Sequence, residues 1–115
     1  MAGIELVLSP VSRLLPVGVN ATFTCQFRNV QVNHLPFWMV NQTEAGTDYS
    51  RAKLMNKGFI ILENQEDSIN GITTLTLIVH GTYPDINNTE IQCRTLTDVH
   101  SQLATILTIA GKINR

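Results

Sequence analysis

Short runs of alternating apolar and polar residues follow one another along the chain, separated by clusters rich in Gly, Pro and Asn. A period of two is typical of strands that bury one face, whereas the helical period of 3.6 is almost absent. The pattern therefore predicts an all-β chain that folds as a two-sheet antiparallel sandwich with Greek-key topology. The predicted strands are residues 4–8, 11–15, 19–27, 36–40, 59–63, 72–79, 89–96 and 103–109.

Three local features refine this prediction. Pro10 separates the first two strands, and because a prolyl nitrogen cannot donate to a sheet ladder, we expect the chain to cross between sheets there. The pair Asn70-Gly71 predicts a hairpin turn, since both residue types tolerate a positive φ. The polar segment 41–57 is long enough for one or two short edge strands, around Tyr49 and around residues 52–55.

The two cysteines, Cys25 and Cys93, lie in alternating runs that point both side chains inward. Trp38 lies in the apolar segment 36–40, so a neighbouring strand can carry its indole ring against the two sulfur atoms. Facing thiols can form a disulfide, which needs an oxidising compartment, or remain buried free thiols in an intracellular protein. Neither cysteine has a second Cys or a His at zinc-ligand spacing, so no metal site is expected.

Charge and hydropathy exclude several classes of function. A net charge of -1 with 15% charged residues leaves no basic stripe, so we expect no nucleic-acid partner. The most apolar stretch, residues 103–110, is shorter than the roughly 20 residues of a membrane-spanning helix, so this domain itself should not contact a membrane. Motifs of common enzyme classes are lacking, and we expect neither catalytic residues nor a cofactor.

The N-terminus leads directly into the first strand pattern rather than into a secretion signal. Residues 1–115 are predicted to form a single domain in which residues 1–3 are an added start. We expect the secretion signal, and any membrane anchor of the parent protein, to lie outside this sequence.

The triplet Cys25, Trp38 and Cys93, set in this strand pattern, resembles the immunoglobulin superfamily over nearly the whole chain. The length of segment 41–57, between the predicted strands 36–40 and 59–63, is similar to that of V-type or I-type domains. The resemblance implies an immunoglobulin-like sandwich with a Cys25–Cys93 disulfide packed against Trp38. It also implies an extracellular recognition domain, on a cell surface or secreted, whose function is binding.

Three departures from the family pattern limit what the resemblance implies. Ile91 stands where the tyrosine of a tyrosine corner is usual, and Asn87 replaces the aspartate of the usual ion pair. We therefore expect the loop 80–88 to be held differently, with Tyr83 packed inward. Residues 101–105 lack the Phe-Gly-x-Gly bulge of antibody and T-cell-receptor variable domains, so a rearranging antigen receptor is not expected.

The outward face of the sheet that contains Trp38 is the predicted binding surface, because an apolar cluster ringed by polar groups marks interaction sites. The protein partner would be another copy of the chain or a different protein. An alternative is that segment 41–57 folds over these side chains. The predicted binding residues are Phe37, Met39, Tyr49, Arg94, Leu96 and Ile106.

Two other functions remain open at this stage. The domain could be a spacer that binds nothing within a multi-domain array. It could also be a soluble immune effector that binds glycans or microbial surfaces through its end loops, which contain His34, Asp98 and His100.

Three Asn-x-Thr triplets predict exposed N-glycosylation sites in a secreted protein. They begin at Asn20, Asn41 and Asn87.

Overall fold

The computed structural model describes residues 3–31, 34–83, 86–97 and 99–109. Within these ranges every strand predicted from the alternation is present, and strand ends differ from the prediction by one or two residues. The elements are β1 (Glu5–Leu8), β2 (Arg13–Pro16), β3 (Ala21–Arg28), β4 (Phe37–Val40), β5 (Thr43–Glu44), α1 (Asp48–Met55), β6 (Phe59–Ile61), β7 (Gln65–Asp67), β8 (Ile72–Val79), β9 (Thr89–Arg94) and β10 (Ala104–Ile109).

The described strands form two five-stranded sheets that enclose a common core. The Cys25 sheet has the order β1-β3-β8-β6, with β7 also paired to β8, and the Trp38 sheet has the order β2-β10-β9-β4-β5. The connections from β3 to β4 and from β8 to β9 pass from one sheet to the other. This is the predicted two-sheet Greek-key sandwich.

The first two strands belong to different sheets, as the position of Pro10 predicts. β1 pairs with β3, whereas β2 pairs with β10. The β2–β10 pair is parallel, which corrects the prediction of a purely antiparallel sandwich. A strand that changes sheets without a reversing turn keeps its direction, and here that direction is also the direction of β10.

The core follows from the alternation along β3 and β8. These strands pair over eight residues, from Ala21 opposite Val79 to Arg28 opposite Ile72, and every second side chain is buried. The predicted core positions Leu75, Leu77 and Val79 are fully buried. Burying a side chain of this size contributes about 1.5–3 kcal/mol, so this strand pair supplies much of the core.

A helix replaces the edge strands predicted around Tyr49 and residues 52–55. The Thr47 hydroxyl accepts a hydrogen bond from the backbone N–H of Ser50, and the Ser50 hydroxyl bonds back to Thr47, which forms a capping box. Leu54 is the buried residue of α1. The only strand that segment 41–57 adds to the edge of the sheet is β5. No helix in the described ranges is long and apolar enough to cross a bilayer.

The loop before β9 is held without a tyrosine corner. Ile91 is fully buried at the position of the usual tyrosine, and Ile86 joins the same core cluster. Tyr83, predicted to pack inward, is instead partly exposed, and its ring lies over Gly58. A Cβ at Gly58 would come within 2.7 Å of Tyr83 Cδ1, so glycine is needed for this close approach.

Asp67 closes the predicted hairpin between β7 and β8. Its carboxylate accepts hydrogen bonds from the side chain of Asn70 at 2.8 Å and from the backbone N–H groups of Ile69 and Asn70. Gly71 has a φ of 67°, as expected for this turn. The bonds from Asn70, above all that from its side chain, lower the pKa of Asp67 below its ordinary value.

Asp67 should make stability depend on pH in the acid range. Because its pKa is lower in the folded chain, its contribution is present above the ordinary aspartate value of about 4 and is lost as the pH falls through the lower folded-state value. We expect Asp67→Asn to have a melting temperature that falls less steeply on acidification than that of the wild type. Thermal unfolding across this range measures it, with the exposed carboxylate variant Glu63→Gln as control. Identical acid slopes for Asp67→Asn and the wild type would contradict the prediction.

Candidate binding surface on the Trp38 sheet

The disulfide and Trp38 form the centre of the core beneath the Trp38 sheet. Cys25 in β3 is bonded to Cys93 in β9, and the two Cα atoms are 6.5 Å apart. Trp38 lies directly opposite Cys93 in the β4–β9 ladder, so both side chains point to the same inner face, and Trp38 is 1% exposed. The predicted disulfide and the inward tryptophan are therefore confirmed.

The period of two turns the neighbours of these residues outward. In the β4–β9 ladder Phe37 lies opposite Arg94 and Met39 lies opposite Gln92. All four are half-buried. We call this side of β4, β9 and the residues that extend them the outer face.

Leu96 extends the outer face beyond the end of β9. It is 61% exposed, and its backbone N–H donates to the carbonyl oxygen of His34 at 2.8 Å. This bond joins the loop between β3 and β4 to the loop between β9 and β10. Both loops thus lie at one end of the sandwich, which we call the upper end.

Ser101 and Gln92 anchor the β9–β10 loop. The buried Ser101 hydroxyl accepts from the backbone N–H of Cys93 at 3.1 Å, and Gln92 Nε2 donates to the Ser101 carbonyl oxygen at 2.8 Å. The Gln92 amide nitrogen also lies 3.2 Å from His100 Nδ1. These bonds give the upper part of the outer face a defined shape.

A cavity of about 570 Å³ opens at the upper end beside the outer face. Phe37 and Leu96 belong to its wall, so the cavity is continuous with the outer face. Two carboxylates, Glu44 and Glu66, also line it. The cavity could not be predicted from the sequence, because residues from separate strands form it and no local pattern marks it.

Solved structures with a similar backbone are immunoglobulin domains. Rst D1-D2 superimposes with a TM-score of 0.67 at 16% identity over 95% of this chain, and the chain spans 50% of that protein's chain. Titin domain I10 superimposes with a TM-score of 0.61 at 17% identity, over 94% of this chain and 100% of its own. Dpr11 IG1 bound to DIP-gamma gives 0.59 at 15% identity, over 95% of this chain and 52% of the other.

The chain has the immunoglobulin fold. The two-sheet sandwich of this chain agrees with the fold of these structures. Neither a protein-family model nor a curated protein sequence matches the chain.

Four of the six predicted binding residues lie together on the outer face. They are Phe37, Met39, Arg94 and Leu96. Their role in binding stays a prediction.

Ile106 is a correction, because it is fully buried in the core rather than outward. In the β9–β10 ladder Ile106 lies opposite Thr89 and Ala104 opposite Ile91, which are both inward positions. The exposed apolar residues of β10 are Leu107, which lies opposite the exposed Leu14 of β2, and Ile109.

Tyr49 does not belong to the outer face. It lies on α1, which packs against β6 of the other sheet, and it is 74% exposed. The Lys53 ammonium lies 5.6 Å from the centre of the Tyr49 ring. Segment 41–57 does not cover the whole outer face, as the alternative predicted, because it turns into α1 and leaves Met39 half-buried and Leu96 exposed. Part of the segment, including Thr47, does lie beside Phe37 in the wall of the cavity.

The end loops of the domain bring His34 and His100 to the upper end, whereas Asp98 lies outside the described residues. His34 Nδ1 accepts from the backbone N–H of Gln31 at 2.9 Å and so stabilises its own loop. In the described ranges no group of three or more His, Cys, Asp or Glu side chains is placed to hold a metal ion.

Proposed function

We propose that this domain is an extracellular recognition or adhesion module that binds a protein partner through the outer face of the Trp38 sheet. The observation that carries the proposal is the set of apolar side chains left partly exposed there, above all Met39 and Leu96. Polar groups of Gln92 and Arg94 lie between them. An apolar centre with a polar surround is typical of a protein interface.

The disulfide supports the proposed extracellular location. Structural disulfides form and persist in oxidising compartments and are rare in the cytosol. We place the domain on a cell surface or in a secreted protein. Its partner is a second copy of the chain or a different protein, and the complex of Dpr11 with DIP-gamma is an example of a similar domain bound to another protein.

The cavity supports a contact that extends from the outer face to the upper end. A partner side chain that enters beside Phe37 and Leu96 would meet an apolar wall and the carboxylates of Glu44 and Glu66. Interfaces derive most of their affinity from a few such buried anchors.

A non-binding spacer is the second candidate function, because titin domain I10 has the same fold over its full length. The two candidates differ in what they require of the outer face. A spacer needs no exposed apolar side chains in the middle of a sheet, whereas a binding module needs them.

Leu96→Asp should strongly weaken partner binding while the domain still folds. The substitution places a charge among the apolar side chains of the interface, and we expect affinity to fall at least about tenfold, in line with interface anchors. Sedimentation equilibrium across concentration measures self-association. An avidity-based screen of defined extracellular proteins measures binding to other partners.

Val11→Asp is the matched control, because Val11 is 65% exposed, close to the value for Leu96, but precedes the edge strand β2, which β10 separates from β9. Binding that survives Val11→Asp and is lost with Leu96→Asp supports the proposal. A partner whose binding is unchanged by both Leu96→Asp and Met39→Asp would overturn the assignment of the surface. Absence of any partner in both assays would favour the spacer.

A further inference from the structure

The asparagines of the three Asn-x-Thr triplets share one hydrogen-bond geometry. In each, Oδ1 accepts a backbone N–H from a distant part of the chain: Asn20 from Gly81 at 3.1 Å, Asn41 from Glu90 at 2.9 Å and Asn87 from Thr108 at 2.8 Å. Because the partner is a donor, the oxygen must face it. The amide nitrogen Nδ2 is then left outward, and within the described ranges it donates to nothing.

Three of the described asparagines outside these triplets use the opposite atom, whereas Asn56 makes no side-chain hydrogen bond to the described residues. Nδ2 of Asn29 donates to the Gly3 carbonyl, Nδ2 of Asn64 to the Pro36 carbonyl, and Nδ2 of Asn70 to Asp67. The fold therefore ties up the nitrogen in these three asparagines and leaves it unused in those of the triplets. Nδ2 is the atom to which an N-linked glycan is attached.

We propose that Asn20, Asn41 and Asn87 carry N-linked glycans while each Oδ1 keeps its bond to the backbone, and that these glycans confine partner docking to the upper end. The proposal rests on the proposed extracellular location. In the reaction the amide Nδ2 bonds to the anomeric carbon of a polyprenyl-diphosphate oligosaccharide. The polyprenyl diphosphate leaves, and Nδ2 loses one proton.

The strand directions place the three asparagines at one end of the sandwich. Asn20 precedes β3, Asn87 precedes β9, and Asn41 follows β4. β3 and β9 run toward the upper end and β4 runs away from it, because β3 and β9 lead into the loops at that end and β4 leaves it. All three side chains thus lie at the lower end, opposite the cavity and Leu96.

The backbone at Asn41 fits a residue whose side chain points to solvent. Val40 pairs with Thr43, so Asn41 and Gln42 are the two turn residues between β4 and β5, with φ values of 49° and 70°. Asparagine tolerates this left-handed conformation better than most residues. A glycan at this turn would stand beside the lower rim of the outer face and leave Leu96 accessible.

Thr89 gives an independent reason to read the triplet at Asn87 as an acceptor site. Its side chain is fully buried in β9, and its hydroxyl has no hydrogen-bond partner among the described residues. A valine of the same shape would fill this position without an unpaired polar atom. The fold therefore has no use for the hydroxyl, whereas the Asn-x-Thr acceptor requires it.

Secretion of the chain from a eukaryotic cell line, behind a supplied secretion signal, tests the proposal. Mass spectrometry after enzymatic glycan release in heavy-oxygen water identifies each modified asparagine. We expect glycans at all three positions, the loss of one glycan in each of Thr22→Val, Thr43→Val and Thr89→Val, and full retention in the matched Thr→Ser variants. Thr89→Val should also have an unfolding midpoint equal to or above that of the wild type.

Hydroxyl-radical footprinting tests whether the glycans cover only the lower end. The comparison is the glycosylated wild type against the triple Thr→Val variant, which keeps all three asparagines. We expect protection of Val17 and Val19, which are exposed near Asn20, and unchanged oxidation of Leu35 and Leu96 at the upper end. Equal protection at both ends would overturn the inference about docking.

Failure of the glycan proposal can be distinguished from failure of the proposed recognition function. A secreted protein with the Cys25–Cys93 disulfide but an unmodified asparagine in any triplet would overturn the glycan proposal and leave recognition through the outer face untouched. Loss of the fold in Thr89→Val would show that the Thr89 hydroxyl is structural, and would overturn the argument from Thr89.

Discussion

Replacing both Cys25 and Cys93 by alanine should lower the free energy of unfolding by about 4 kcal/mol. The disulfide closes a loop of 68 residues, and in the chain-entropy model a loop of this length stabilises by roughly that amount through the unfolded state. A small domain has only about 5–15 kcal/mol in total. Urea unfolding, followed by tryptophan fluorescence, measures the difference. We expect the double variant to be partly unfolded at physiological temperature.

Reduction of the wild type by dithiothreitol provides the control, because it opens the disulfide without removing atoms from the core. The reduced wild type and the double variant should lose similar stability. If the reduced protein unfolds at the same urea concentration as the oxidised protein, the disulfide adds little and the core alone holds the sandwich.

Trp38→Ala should lower the free energy of unfolding by about 3–5 kcal/mol, the range for removing a large aromatic side chain from a packed core. Trp38 is among the largest fully buried side chains, and it lies beside the disulfide between the two sheets. Its loss would leave a cavity that the paired strands cannot close. Chemical denaturation followed by circular dichroism measures the effect, since the variant has no tryptophan.

Trp38→Phe separates packing from hydrogen bonding at the same position. The indole Nε1–H is buried and has no hydrogen-bond partner among the described residues. An unpaired buried group of this kind costs about 1–3 kcal/mol, and phenylalanine removes it while keeping most of the ring. We therefore expect Trp38→Phe to be far less destabilising than Trp38→Ala. If the two variants lose the same free energy of unfolding, this prediction is wrong and the indole nitrogen has a hydrogen-bond partner in solution.

The strands and the core could be predicted because one local rule governs both. Alternation with a period of two places Cys25 and Leu75 inside, and the structure places them there. Ile106 was predicted to point outward but is buried. Leu103 and Ala104 are both apolar, so the sequence does not show which of them begins the inward set of residues. In a strand with apolar residues on both faces, only the ladder with β9 decides the side.

The helix α1 was missed because its signals are weak and very local. Its apolar residues do not form a clear stripe, and it is anchored by the Thr47 capping box and the buried Leu54. A Thr followed three positions later by Ser is an incomplete form of the usual capping-box pattern, which has Glu or Gln at that place. Segment 41–57 was predicted to form edge strands, but its conformation depends on the packing of α1 against β6.

The candidate binding surface was predictable in part. Phe37 and Met39 follow from the inward position of Trp38, whereas the cavity depends on strands far apart in the sequence. The hydrogen bonds of Asn20, Asn41 and Asn87 could not be predicted, since each joins residues at least 21 positions apart.

The short strand β5 has a consequence for solubility. A free sheet edge beside an exposed apolar face invites strand-by-strand aggregation, and natural proteins shorten or charge such edges. Here the edge is two residues long, carries Glu44 and passes directly toward the capped helix. At this edge a second molecule therefore finds almost no backbone to extend the sheet, whereas the other edge, β2, is four residues long.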